Sequence, residues 1–464
     1  MQLPVELLKS LESVKGFDKE AFDRVHQSGE QVTSIRFNPL KSTVVGGESF
    51  VGSATHDSPL TISNKIPWTN HGYYLTERPS FTFDPLFHAG TYYVQEASSM
   101  FLEQALKQTV DLTKPIKVLD LCAAPGGKST HIHSLISKDS LLVSNEVIRS
   151  RANILKDNII KWGCENVVVT NNDPRDFSKL ENYFDVIVVD APCSGSGLFR
   201  RDEEAIEEWS ENNVQLCSQR QQRILADVWP SLKKNGMLIY STCSYSKQED
   251  EEIMDWITTE LTGESCQLSA LSQWGITAVQ SNSGAYGYRF WPDKVKGEGF
   301  FLACFKKSDG ENDDLFRYRK KPEVATKKEI EFIDRWVKTD DKEFIKYENT
   351  VYAWPVHLVK DFSFLLEQLR VIYSGVLVGE LMRDKLVPAH SLAMSMITSE
   401  SIGKITLDYS QAIQYLQRKE LIIEIENKGW QLVTYQGFCL GWVNVLPNRI
   451  NNYYPKELRI LKDR

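Results

Sequence analysis

The stretch Ile116-Lys-Val-Leu-Asp-Leu-Cys-Ala-Ala-Pro-Gly-Gly-Lys128 decides the fold of this chain. It opens as an apolar run, passes into tiny and turn-forming residues, and leads into a helical pattern from Ser129. Strand, small-residue turn and helix in that order begin a βαβ unit. The alternation continues through Leu141-Leu-Val-Ser144, Asn166-Val-Val-Val-Thr170, Phe184-Asp-Val-Ile-Val-Val189 and Gly236-Met-Leu-Ile-Tyr240. Helical patterns over Ser150–Trp162 and Asn212–Leu232 lie between these runs. The pattern predicts an α/β fold with a Rossmann-like, parallel, doubly wound sheet covered on both faces. The run Gly299–Phe305 adds a late antiparallel edge strand. Residues 86–307 therefore form one domain. Before it, residues 1–85 mix short helical patterns with Gly-punctuated β-rich segments, a small α+β unit. After it, Ser308-Asp-Gly-Glu-Asn-Asp-Asp314 is a polar boundary. A linker and first C-terminal domain over 308–395 and a last domain over 396–464 complete the chain, mixed in pattern to about Arg370 and more β-rich from Val371 to Arg464.

The 464 residues suit roughly three domains at ~150 residues each. Hydrophobic residues make 42% and charged residues 25%, which excludes collagen-like and mostly disordered chains. A net charge of −8 argues against a histone-like binder of nucleic acid, but not against a local basic groove. The first 20 residues lack the basic and apolar regions of a secretory leader. No run approaches the ~18 apolar residues of a membrane span. The expected setting is the cytoplasm, with no membrane and with reduced thiols. None of the eight cysteines forms a CxxC pair, so no metal site is expected.

Open α/β sheets bind ligands at the carboxyl ends of their strands. After the first strand, Cys122, Ala123, Ala124, Pro125, Gly126, Gly127 and Lys128 let backbone approach a ligand at a helix start. This is neither a GxGxxG nor a P-loop sequence. After the second strand stands Glu146, about 20 residues past Gly126, where an acid can accept from both hydroxyls of a ribose. A solvated acid at a helix start explains Glu146 equally well. Asp173 follows the third strand and can accept from an adenine amino group or simply make an Asx turn before Pro174. Asp190-Ala-Pro-Cys193-Ser-Gly-Ser-Gly197 follows the fourth strand and Ser241-Thr-Cys243-Ser-Tyr245 the fifth. One such cysteine would be ordinary packing. Two at the ends of adjacent strands, in polar flexible turns, point to nucleophiles.

DLCAAPGGKST, DAPCSGSG and YSTCS together resemble the Nop/Sun family of S-adenosylmethionine-dependent RNA cytosine-5 methyltransferases. Gly90–Ser99, Arg289-Phe-Trp-Pro292 and Gly297-Glu-Gly-Phe-Phe301 are further matches. The tail, with Gly379-Glu380, Pro388–Ala393 and Tyr454-Pro-Lys-Glu-Leu458, is similar to the RsmF-like branch. The resemblance implies methylation of cytosine in small-subunit (16S) ribosomal RNA and a PUA-like RNA-binding domain at the C-terminus. It implies that residues 122–128 hold the methionine part of S-adenosylmethionine, Glu146 the ribose and Asp173 the adenine. Asp190 would line the methyl-donor pocket, with Arg151 a weaker candidate. It assigns the attack on cytosine carbon 6 to Cys243 and the release step to Cys193.

The expected partner is ribosomal RNA or the small subunit, met by a monomer. Arg200-Arg201, Phe316–Lys321, Arg36, Lys41, Tyr453-Tyr454, Lys456, Arg459 and Lys462 are candidate RNA contacts. Rival readings are a catalytically inactive ribosome-assembly factor and a tRNA or DNA cytosine-5 methyltransferase. In the DNA class Cys193 would be the nucleophile and Cys243 would have no role.

Overall fold

The computed structural model describes residues 3–42, 60–269, 272–310, 320–383, 385–423 and 427–462. Its centre is a sheet of ten strands. We number nine of them: β1 Lys117–Asp120, β2 Leu141–Asn145, β3 Val167–Thr170, β4 Phe184–Asp190, β5 Leu232–Thr242, β6 Thr277–Gln280, β7 Tyr286–Phe290, β8 Phe300–Lys307 and β9 Val371–Ser374. The tenth, Gly263–Ser265, pairs with β8. The order is β6-β7-β8-β5-β4-β1-β2-β3-β9. Strands β1 to β5 are mutually parallel, so their carboxyl ends share one edge. The order reverses between β1 and β4, and a crevice opens at such a point.

These strands are apolar on both faces because both faces are covered. On one face Val118, Leu142, Val169, Val186 and Ile239 pack with Leu155, Ile159 and Trp162. On the other, Leu119, Val143, Val168, Ile187 and Leu238 pack with Ile224, Leu225, Ile253 and Ile257. The first set of covering residues belongs to the helix Arg149–Trp162, which buries Ala152, Leu155, Ile159 and Trp162 at helical spacing. The helix Glu211–Val228 starts where Ser210 caps Asn213 N–H at 3.1 Å. It stops four residues short of the Leu232 that periodicity predicted. Pro230 supplies no N–H to continue it, and Leu232 already opens β5.

Two expectations about the sheet need correction. Strand β8 is antiparallel, as its position suggested, but it is not an edge strand. The hairpin of β6 and β7 lies outside it, which explains why six consecutive residues of β8 are buried. The opposite edge is closed by β9, which comes from the C-terminal region and pairs antiparallel with β3.

Three smaller sheets surround the centre. The first pairs Ile62–Lys65, Gly72–Leu75, Ser34–Phe37 and Tyr92–Val94 in that order. Its last strand lies beyond residue 85, where the sequence suggested a break. A five-stranded sheet contains Lys342–Tyr347, Thr350–Pro355 and Val376–Met382 at its middle. A four-stranded sheet over Lys404–Asn452 forms the PUA-like end. This last sheet shares a core with the first: Ile35, Phe37, Leu86 and Tyr92 pack with Leu416, Val433 and Leu440. No helix among the described residues is long and apolar enough to cross a membrane.

Three basic residues expected to face RNA are instead internal fasteners. Arg36 is 1% exposed. It donates to Gln95 Oε1 at 2.9 Å, Thr130 Oγ1 at 2.6 Å and Gly127 O at 3.2 Å, and lies over the Trp162 ring. It thereby fastens the N-terminal sheet to the helix that follows the Gly-rich loop. Burial pulls its pKa down to about 9. Lys41 donates to Ala89 O at 2.7 Å and Lys161 O at 2.8 Å. Arg200 donates to Glu30 O at 2.6 Å and Gly297 O at 3.2 Å. Charges so buried are kept for their hydrogen bonds and cannot also meet phosphate. Arg36→Ala should therefore cost stability, about 3–5 kcal/mol by urea denaturation. The salt dependence of RNA binding should not change; a shallower salt slope would restore Arg36 as a phosphate contact. Tyr454 is likewise buried, whereas Arg201, Tyr453, Lys456, Arg459 and Lys462 are exposed. Residues 316–319 of the basic and aromatic cluster lie outside the described residues.

Candidate active site

The small-residue loop turns at Gly126, whose φ of +112° is a left-handed conformation that favours glycine. A Cβ there would also sit 3.2 Å from Leu155 Cδ1. The helix Gly127–His133 follows at once. The loop is held from three sides. Ala123 N–H donates to Asn145 O at 2.8 Å, Arg151 Nη2 donates to Ala124 O at 2.9 Å, and Asn158 Nδ2 donates to Pro125 O at 2.8 Å.

Asn145, at the end of β2, was not singled out from the sequence. Its amide donates to Leu121 O at 3.1 Å and Asn172 O at 3.0 Å, and its Oδ1 accepts from Thr170 Oγ1 and Asn172 N–H. One buried side chain thus ties together the turns after β1, β2 and β3. Glu146 follows it, 3% exposed. One of its carboxylate oxygens caps Ile148 N–H at 2.9 Å, and the other lies 3.6 Å from Arg151. Next to it Val147 and Ile148 are apolar and half exposed. Asp173 makes the Asx turn, accepting from Arg175 N–H at 3.2 Å.

Asp190, at the end of β4, pairs with Lys128 at 2.7 Å and accepts from Ser241 Oγ at 2.8 Å. Burial alone would lower the Lys128 pKa, but the adjacent Asp190 outweighs it and raises it. Below them Asp120 is fully buried. One oxygen accepts from Ser129 Oγ at 2.7 Å and the other has no hydrogen-bond partner among the described residues. Burial pushes the Asp120 pKa up to about 7, opposed by Ser129 and Lys128 and helped by Asp190 and Glu146. The unfolded value is near 3.9, so folding takes up a proton between those limits and stability falls as pH rises through them. Asp120→Asn removes that dependence. The melting temperature of the variant relative to wild type should rise between about pH 5 and about pH 8. A constant difference would contradict the buried, proton-binding carboxyl.

The turns after β4 and β5 bring Cys193 Sγ to 3.0 Å from Cys243 Sγ. Both are free thiols and partly exposed. The hydrogen bond to Cys243, then burial, holds the Cys193 thiol well above its ordinary value. Gly197 N–H donates to Cys243 O at 2.8 Å. A Cβ on Gly197 would meet Gly299 O at 2.5 Å and Cys243 O at 2.7 Å, so only glycine lets these backbones meet. Two acids missed in the sequence stand behind Cys243. Asp250 accepts from Thr242 Oγ1 at 2.7 Å and pairs with Arg289 at 3.0 Å. Glu249 bonds both cysteine turns. In the sequence both belong to an acidic run before the helix Glu251–Glu260, which reads as helix-start charge. By contrast Cys164, Cys217 and Cys304 are buried, and burial raises each thiol.

A Rossmann-like sheet with acids after successive strands and paired thiols beside a Lys–Asp pair is the arrangement that the resemblance to S-adenosylmethionine-dependent methyltransferases implies. Comparison with known proteins narrows this class. Residues 107–306 match the 16S rRNA methyltransferase RsmB/F model, residues 3–97 the RsmF N-terminal domain, residues 328–396 the RsmF first C-terminal domain and residues 403–460 the RsmF PUA domain. The chain belongs to this family of 16S rRNA methyltransferases. It is 31% identical to ribosomal RNA small subunit methyltransferase F of Vibrio parahaemolyticus, across 92% of this chain and 91% of that one. The Shewanella piezotolerans protein of the same name is 30% identical across 92% and 90%. A solved methyltransferase homologue from Pyrococcus horikoshii is 26% identical with a TM-score of 0.51, covering 66% of this chain and all of that one.

Proposed function

We propose that this enzyme methylates carbon 5 of cytosine in small-subunit ribosomal RNA, acting in the cytoplasm as a monomer. The observation that carries the reading is the thiol pair, 3.0 Å apart on the ends of adjacent strands beside Asp190 and Lys128. The residues at the strand ends fit S-adenosylmethionine. Glu146 keeps a carboxylate oxygen with only a 3.6 Å contact to Arg151, suited to ribose hydroxyls. Val147 and Ile148 offer an apolar surface to a flat base, and Asp173 an acceptor. Residues 122–128 would bring backbone and a helix start close to the methionine part, with Asp190 at the reacting end. When bound, S-adenosylmethionine supplies an electrophilic methyl group.

Cytosine carbon 5 is too electron-poor to take a methyl group unaided. Addition of the Cys243 thiolate at carbon 6 makes carbon 5 an enamine-like nucleophile. Asp190, held by Lys128 and Ser241, would hydrogen-bond the base, with Lys128 beside it offsetting the negative charge that thiolate addition develops. Once methylated, carbon 5 loses its proton and the Cys243–carbon 6 bond breaks, with Cys193 assisting. The base must leave its stack to reach these thiols, at a cost of a few kcal/mol. Exposed Arg201, Lys456, Arg459 and Lys462 are available to phosphates. Incubating the enzyme with labelled cofactor and small-subunit RNA, free or assembled, then analysing nucleosides, tests the reading. Label in 5-methylcytidine is expected. Label in another nucleoside, or none with either substrate, would overturn it.

A further inference from the structure

Glu249 has no part in the chemistry described above, yet it is 0% exposed and bonded to both cysteine turns. One oxygen accepts from Ser194 N–H at 2.8 Å and from Gln221 Nε2 at 3.2 Å. The other accepts from Ser194 Oγ at 2.5 Å and Ser244 Oγ at 2.6 Å. Ser194 and Ser244 each directly follow a cysteine. A carboxylate fully inside a protein is costly unless such donors surround it. Its position is therefore a strong constraint on whatever it touches.

The two turns depend on it unequally. The Cys243 turn is held in other ways: by its strand, by Thr242 to Asp250, by Ser244 N–H to Thr242 Oγ1 at 3.2 Å, and by Gly197 N–H to Cys243 O. The Cys193 turn shares that Gly197 bond and is tied by Ala191 N–H to Ser241 O at 2.8 Å and Gln221 Nε2 to Pro192 O at 3.1 Å, but Ser194, next to the thiol, bonds Glu249 through both its backbone and its side chain. We propose that Glu249 is a positioning residue that fixes Cys193 against Cys243 and so governs release of the methylated base rather than the initial attack. This rests on the cysteine roles proposed above.

In the release step the carbon 5–hydrogen bond breaks and its proton passes to water. Its electron pair re-forms the carbon 5–carbon 6 double bond, and the carbon 6–sulfur pair returns to Cys243 as thiolate. A Cys193 S–H at hydrogen-bond distance stabilises that leaving thiolate. Without Glu249 to set the distance, departure slows while attack continues.

Glu249→Gln retains the size of the side chain but loses one acceptor oxygen facing the two serines. Its covalent trapping on 5-fluorocytosine RNA should match wild type. Its turnover on ordinary RNA should fall roughly tenfold or more, with an enzyme–RNA adduct accumulating on denaturing gels. A role in folding alone would lower trapping and turnover together. Cys193→Ala, run in parallel, separates the two claims. If it accumulates adduct and Glu249→Gln does not, the inference fails. If Cys193→Ala itself accumulates none, the cysteine assignment fails. Should Glu249→Gln not fold, Ser194→Ala and Ser244→Ala carry the test. Adduct above wild type in Ser194→Ala but not in Ser244→Ala is expected. Equal behaviour of the two serine variants would overturn the proposal.

Discussion

Cys243→Ala should leave a folded protein that transfers no methyl group and forms no adduct with 5-fluorocytosine RNA. The loss of rate should be about 10⁴-fold or more, the scale seen when a covalent nucleophile is removed. Folding survives because the change deletes only a sulfur at a partly exposed strand end. The backbone there is anchored by Gly197 N–H to Cys243 O and by the Thr242–Asp250 bond. Binding of RNA and cofactor should be unaffected, since neither the loop over 122–128 nor the Asp190–Lys128 pair is touched. Residual trapping in this variant would mean that another thiol attacks the base.

Cys193→Ala should behave in the opposite way. It should attack, methylate once and then stall. Multiple turnover should fall by about 10²-fold or more, while the first methyl transfer proceeds. An adduct with ordinary cytosine, which wild type barely shows, should become the main RNA-bound species. The contrast between the two variants separates this chain from enzymes that attack with the Pro-Cys cysteine. In those, loss of Cys193 would abolish trapping and loss of Cys243 would not.

Much of the catalytic sheet was legible because parallel strands are buried on both faces and so announce themselves as apolar runs. Each candidate residue at a strand end stands where that reading placed it, and the two cysteines meet. Strand order was another matter. Nothing local in Val371–Ser374 says that it will pair with β3, more than 190 residues earlier. Arg36, Lys41 and Arg200 were misread for a related reason. A basic residue beside a cleft looks like a phosphate contact until the carbonyls that surround it in space are known. Asn145 and Glu249 escaped because their importance lies in linking turns from separate strands. An Asn before a functional acid, or a Glu in an acidic run, carries no sign of that. The net charge of −8 also takes on a narrower meaning. Several cations are spent on internal hydrogen bonds and are not available to RNA, so the position of the exposed ones matters more than the total.

In the proposed reaction Cys243 forms the covalent bond to the base and Cys193 helps to break it. Peptide mapping of the adduct that Cys193→Ala forms with ordinary small-subunit RNA tests this most directly. A cross-linked cytidine is expected on the peptide that contains Cys243 and on no other. A cross-link on a different cysteine, or no cross-link in a variant that still binds RNA and cofactor, would contradict it.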